Sequence, residues 1–239
     1  MKHLVLIFCL LIMSSIAFSQ ENVIMKGEAF DKDNKLVYVE THNYKRLPSG
    51  EISAIKTTYH NAAGKLIADV SSDFSKDPFI PDTIFIDHRF NEKQELSYNK
   101  DSKLVSMKIT DMNTGKFKSN EIKRTENMVS GQGFHNYILK NFNEDRTDIK
   151  FIVLPKLDYY SFYFEQEPAK AEGQRRFILK ISSWVLRILV KEIAVDYRMK
   201  DHSLLTFEGL TNIDSDKRDS QILKIKMSYP GVDNDKKSL

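Results

Sequence analysis

Residues 31–74 read DKDNKLVYVETHNYKRLPSGEISAIKTTYHNAAGKLIADVSSDF. Within them, residues 36–44, 52–60 and 65–74 are short segments of strand-like alternation. Each follows turn chemistry: Asp31-Lys32-Asp33-Asn34, then Pro48-Ser49-Gly50, then Asn61-Ala62-Ala63-Gly64. Period-two alternation between such punctuators predicts strands joined by tight turns. Connections this short cannot hold a crossover helix, so the sheet they build is antiparallel.

The same rhythm continues outward at residues 83–90, 104–110 and 117–123, the last after Asn113-Thr114-Gly115. It breaks at Phe134, Ile138 and Phe142, which recur every four residues with Tyr137 beside them. That spacing predicts one helix of about three turns, with Ser130 as its N-cap. Strand patterning returns at residues 149–154, 159–165, 177–181, 193–197, 204–210 and 222–229. A second short helix is expected over residues 184–190, capped by Ser182 or Ser183. The order predicts a mainly β, β-rich α+β fold: a curved antiparallel sheet or open half-barrel with one or two helices packed on or plugging its concave face. Residues 20–229 form a single domain in this reading, with a two-half organisation divided near residue 130, and residues 230–239 are a polar tail expected to fray.

The N-terminus addresses the chain to a compartment. Lys2 and His3 precede an apolar run over residues 4–13, and Ala17 and Ser19 put small residues at −3 and −1 of a cut before Gln20. This is the layout of a secretory signal peptide, too short in its apolar core to span a bilayer. The chain's one cysteine, Cys9, lies inside it. Phe8 and the apolar residues after Cys9 do not fit a lipoprotein cut, so the mature chain would have no thiol, disulfide or thiolate metal site. No Asn-x-Ser/Thr sequon occurs. Export to a periplasm, or secretion from a host without one, is the expected location.

Charged residues make up 29% of the chain, yet the net charge is only +3 and is spread along it. A nucleic-acid groove needs a concentrated basic stripe, so nucleic acid is not an expected partner. No metal or cofactor motif is present. Asp31-Lys32-Asp33-Asn34-Lys35 begins like a calcium loop, but Leu36 replaces the required Gly and His42 replaces the bidentate Glu. Ser130-Gly131-Gln132-Gly133 is not a nucleophile elbow.

The candidate ligand-binding residues are Tyr38, Glu40, His42, Arg89, Tyr160, Phe162 and Trp184. Tyr38, Glu40, His42 and Tyr44 share one face of a strand over residues 36–44. If the aliphatic Val37/Val39 face packs on the core, Glu40 and His42 look to solvent. If the sheet curls, they line its interior and could share a proton or join His60 or His88 at a metal. Arg89 could pair with a carboxylate such as Glu40, or hold an anionic ligand through its planar fork. The run Tyr159-Tyr160-Ser161-Phe162-Tyr163-Phe164 has no solvent-compatible face, so it is either a core strand or the wall of an apolar chamber. Tyr160, Phe162 and Phe164 are expected to be buried against the Phe134/Ile138/Phe142 stripe. Trp184 heads the second helix, which could plug the mouth of the curved sheet.

The function expected from these residues is that of a soluble exported binding protein sheltering an apolar small molecule, such as a lipid or acyl chain, without catalysis. In outline such a sheet resembles the half-barrel carriers that move lipids or lipoproteins across a periplasm, a likeness of architecture that no residue motif carries. The alternative is a hydrolase or metal-dependent enzyme built on Glu40 and His42. An outer-membrane barrel fits less well, because Lys occupies many strand positions and the chain ends in Lys236-Lys237-Ser238-Leu239.

Overall fold

A computed structural model describes residues 23–47, 51–183 and 192–230. The expected signal peptide, the expected helix over residues 184–190 and nearly all of the expected tail lie outside the described residues.

The first half is an antiparallel meander of β1 (Val23–Phe30), β2 (Leu36–Arg46), β3 (Ile52–Asn61), β4 (Leu66–Asp73), β5 (Asp82–Asp87), β6 (Glu92–Asn99), β7 (Leu104–Asp111) and β8 (Phe117–Lys123). One turn device recurs in it. Asp31, Asn61 and Asp111 each accept two backbone N–H bonds from the residues that follow, at 2.8 to 3.2 Å. Asn34, Gly64 and Gly115 then take positive φ to finish the turn. The aspartates of the calcium-like stretch are thus spent on a hairpin.

The second half comprises β9 (Met128–Ser130), α1 (Phe134–Lys140), β10 (Arg146–Val153), a 3₁₀ turn at Leu154–Lys156, β11 (Asp158–Glu167), β12 (Gln174–Ile181), β13 (Ile193–Arg198), β14 (Leu204–Leu210) and β15 (Ile222–Ser228). β15 pairs with β1, so the spatial order runs β8 to β1, then β15 back to β9, in one 15-stranded sheet. Every pairing is antiparallel except β9 with β10. The sheet is not closed into a barrel, but it is strongly curled. Its two edge strands, β8 and β9, are consecutive in the chain, and the four residues between them reach at most about 18 Å.

The edges meet by overlap. Tracing the register strand by strand, Tyr59, Ala68, Val70, Phe85, Leu96 and Met107 share the inner face, as do Ala29, Ile225, Phe207, Val195, Phe177 and Phe164. Met128, Ile152 and Tyr159 therefore belong to the outer face of β9–β11, yet they pack on Leu96, Val105, Met107 and Ile122 from the inner face of β6–β8. The sheet is a scroll whose last strands tuck inside its first. Polar contacts pin the overlap: Arg124 Nε to Asp77 Oδ2 at 3.0 Å, Asn120 Nδ2 to the Leu157 carbonyl at 3.0 Å, and Ser130 N to the Phe79 carbonyl at 2.9 Å. The last of these occupies part of an otherwise bare strand edge.

α1 fills the concave side of the second half. Phe134, Tyr137 and Ile138, with Phe142 just beyond the helix, pack on Val129, Ile149, Phe164, Phe177, Val195 and Tyr197. Edge-to-face ring pairs run Tyr137–Phe164, Phe164–Phe177 and Phe142–Phe177 at centroid separations of 6.2, 5.7 and 5.4 Å. The helix is shorter than its sequence pattern implied and starts after Gly133, not at Ser130. A Cβ at Gly133 would lie 1.9 Å from the Phe79 carbonyl oxygen, so the first turn is pressed directly on the loop before β5. Because α1 is short, it does not cover all of β11. Phe164 is fully buried as expected, but Phe162 is half-buried and Tyr160 is 37% exposed, contrary to expectation. Tyr160 lies opposite Phe151, whose ring meets Phe134 at the very start of the helix. Strand β5 also ends earlier than read, at Asp87, because the Asp87 carboxylate captures the Arg89 N–H and turns the chain.

Candidate functional site

The polar face of β2 is the inward one. Tyr38 is 0% and Glu40 4% exposed, while the Val37/Val39 face is only half-covered. Across β1, Gly27 stands opposite Glu40, and a Cβ there would come within 2.6 Å of Glu40 Oε1. The absence of a side chain at Gly27 is what lets the carboxylate lie against the sheet. Glu40 Oε1 is 3.0 Å from His42 Nε2, a side chain only 14% exposed. The oxygen sits off the ring N–H axis, so the contact is an ion-pair approach more than a formed hydrogen bond. On the other side His42 Nδ1 meets Thr57 Oγ1 at 2.8 Å, directly across in β3.

Thr57, His42 and Glu40 thus stand in the order hydroxyl, imidazole, carboxylate. A nucleophile must also reach its substrate, and Thr57 is 0% exposed. Nor do the other proposed metal partners converge. His60 faces Val39 on the opposite side of the sheet, and His88 pairs with Asp69 at 2.7 Å on the outer surface. Among the described residues no three His, Cys, Asp or Glu side chains come together as a metal site.

Arg89 finds a different carboxylate from Glu40. It is bidentate to Asp87, with Nη2–Oδ2 at 2.6 Å and Nε–Oδ1 at 3.1 Å, and Nη1 donates to the Asp214 carbonyl and Asp216. Phe90 lies beneath it, with Arg218 also over that ring. The fork is committed to holding the 211–219 loop on the end of the sheet. Trp184 lies outside the described residues.

The sequence reading missed the residue that completes the interior. His135 on α1 stacks on Tyr197 of β13, with ring centroids 5.6 Å apart and planes at 18°, and its Nδ1 is 3.1 Å from the Tyr197 hydroxyl. Burial, reinforced by the positive charge of Arg46 and by His42, lowers the His135 pKa to about 4. The ring is uncharged at neutral pH. Burial also holds the Tyr44 and Tyr197 phenols far above their usual range, with Tyr229 adding to both. His42, Tyr44 and Arg46 of β2, His135, Tyr197 and Tyr229 therefore converge from β2, α1, β13 and the end of β15. His135, Tyr44, Arg46 and Tyr229 are only half-buried. Together they form one half-buried cluster of aromatic and polar side chains. His42 stacks beside Tyr44 at 6.3 Å, and the Tyr44 hydroxyl donates to Met25 Sδ at 3.6 Å.

The lowered His135 pKa fixes a pH dependence. The unfolded chain, with a His pKa near 6.5, binds more protons than the folded one between about pH 6.5 and 4. The stabilisation is complete above that window and lost as pH falls through it. Allowing for the open part of the ring, the loss is on the order of 2 kcal/mol. Urea midpoints measured from pH 7.5 to 4.5 are expected to fall less steeply in His135→Phe than in the wild type; parallel curves would show that this ring does not titrate on unfolding.

A depression of about 670 Å³ lies on the outer face of β2–β6. Its walls are two outward rows, Asn43-Lys56-Ser71-Ile84-Glu95 and Lys45-Ala54-Asp73-Asp82-Ser97, with the intervening backbone as floor. Its charges are mixed and do not converge.

No family model and no curated protein matches the chain. Solved structures give weak likenesses. A candidate lipoprotein from Parabacteroides distasonis is 12% identical, with 87% of this chain and 94% of that one covered and a TM-score of 0.29. A porin-like protein from Bacteroides uniformis is 7% identical, with coverages of 87% and 96% and a TM-score of 0.26. MucB in complex with MucA(peri) is 8% identical, with coverages of 87% and 89% and a TM-score of 0.18. Likenesses at these scores carry no argument about what this chain does.

Proposed function

We propose that the chain is an exported binding protein whose scrolled sheet holds a small amphipathic ligand, polar end inward, at the cluster between β2 and α1. The observation that carries this reading is the cluster itself: aromatic rings, two imidazoles and the Arg46 guanidinium converge from four separated elements, with Tyr44, Arg46, His135 and Tyr229 only half-buried. Ligand sites have this composition, a mostly apolar lining with a few convergent polar groups. A wide apolar chamber under the helix is not part of the proposal, since Phe134, Tyr137, Ile138 and Phe142 occupy that space with their own contacts. The ligand's apolar body is therefore short, or extends along the half-open rings of Phe151 and Phe162.

Binding is preferred to hydrolysis because the hydroxyl–imidazole–carboxylate array of Thr57, His42 and Glu40 is sealed at its hydroxyl end. A membrane-spanning role finds no support in the described helix, which is not long and apolar enough to cross, or in a sheet that remains open. The signal-like N-terminus supports export, with the mature chain starting at Gln20.

Native mass spectrometry of the exported chain, isolated under non-denaturing conditions, tests the reading. The expected spectrum shows residues 20–239 with a bound small molecule that denaturation releases. Protein mass alone in repeated preparations, together with no fluorescence gain from N-phenyl-1-naphthylamine, would sink the binding proposal.

A further inference from the structure

The hydrogen-bond inventory of the cluster fixes which way the His135 imidazole points its proton. Tyr197 is buried at 1% exposure, and among the described residues the only hydrogen-bond partner of its hydroxyl is His135 Nδ1. A buried phenol O–H without an acceptor is costly, so the Tyr197 hydroxyl donates and Nδ1 accepts. The His135 proton then sits on Nε2. No described residue accepts a hydrogen bond from Nε2, so among the described residues this donor has no protein partner.

We infer that the ligand of this cluster carries a carboxylate and that the His135 Nε2–H donates to it. The inference rests on the binding proposal above and names the chemical class of the ligand. A ligand group placed on this N–H must be an acceptor, and the positive charge of Arg46 favours an anionic one. Arg46 is the permanent cation whose charge reaches His135. Arg46 is itself engaged elsewhere, so its part is the field it contributes. Glu40 is the carboxylate of the same face, and it is held against Gly27 and paired with His42. A cationic ligand would meet this field unfavourably, whereas an acid with an apolar body suits both the field and the rings of Tyr44 and Tyr197.

The probe that decides is cis-parinaric acid compared with its methyl ester, titrated by fluorescence into the mature protein after removal of any bound ligand. The ester keeps the apolar body and removes the charge. The acid is expected to bind at least about tenfold more tightly, the effect of one charge-assisted hydrogen bond in a partly enclosed site. His135→Phe keeps the stacked ring and removes the donor, and should bring the acid down to the affinity of the ester. If acid and ester bind alike, the carboxylate inference is overturned while the binding proposal stands. If neither binds although native mass spectrometry finds another ligand, the class is wrong. If neither binds and no ligand is found, both proposals fall. Should His135→Phe not fold, the acid-to-ester ratio of the wild type decides alone.

Discussion

Phe164→Ala lowers the unfolding free energy by about 3–5 kcal/mol, the range for aromatic truncation in a filled core. Phe164 is fully buried and its ring meets those of Phe134, Tyr137 and Phe177, so nothing mobile stands ready to refill the space. Tyr160→Ala, two pairs along the same face of the same strand, costs no more than about 1 kcal/mol because more than a third of that ring is already in water. Equilibrium urea denaturation of the two variants reads the difference directly. Equal costs would mean that α1 does not pack on β11 as described. A small cost at Phe164, with uptake of an apolar probe, would mean that the helix covers a chamber after all.

That contrast marks how far the sequence could be read. The hairpins were legible because Asp31, Asn61 and Asp111 each carry a complete turn instruction within five residues. Three strands were not. β6 reads EKQELSYN, and only Leu96 and Tyr98 of its inner face meet the core; Glu92 and Gln94 lie at the end capped by the 211–219 loop, where Arg218 pairs with Glu92. β1 places Gly27 and Ala29 inward because Glu40 and Tyr38 lie opposite them, so its buried face shows no run of large apolar residues. β9 has three residues, too few to show a period.

The face of β2 that turns inward was also undecidable locally. Val37 and Val39 are the more apolar choice, and the chain buries Tyr38 and Glu40 instead. The decision comes from the curl of the sheet, which follows from the short link between β8 and β9, some eighty residues away. The Glu40–His42 pair was visible as a spacing. His135 was hidden beside a stronger signal, the Phe134/Ile138/Phe142 stripe, and its role depends on Tyr197 from a strand sixty residues on.

His42→Ala is expected to be the costliest polar substitution, at about 3–5 kcal/mol, because it leaves a carboxylate buried against Gly27 with its imidazole partner gone. The loss measures a stranded charge and not the worth of the pair. Replacing both members with apolar groups of similar size, Glu40→Met with His42→Phe, removes the charge together with its partner, and buried pairs replaced this way are often neutral or stabilised. Urea denaturation of the single and double variants therefore separates two roles. If the double variant regains most of the stability lost in His42→Ala but binds the acid probe no better than the ester, the pair is held for recognition and not for stability. If the double variant is as unstable as the single one, the pair with Thr57 is a net stabiliser of the scroll, and the chemistry of the cluster rests on His135 and Arg46 without it.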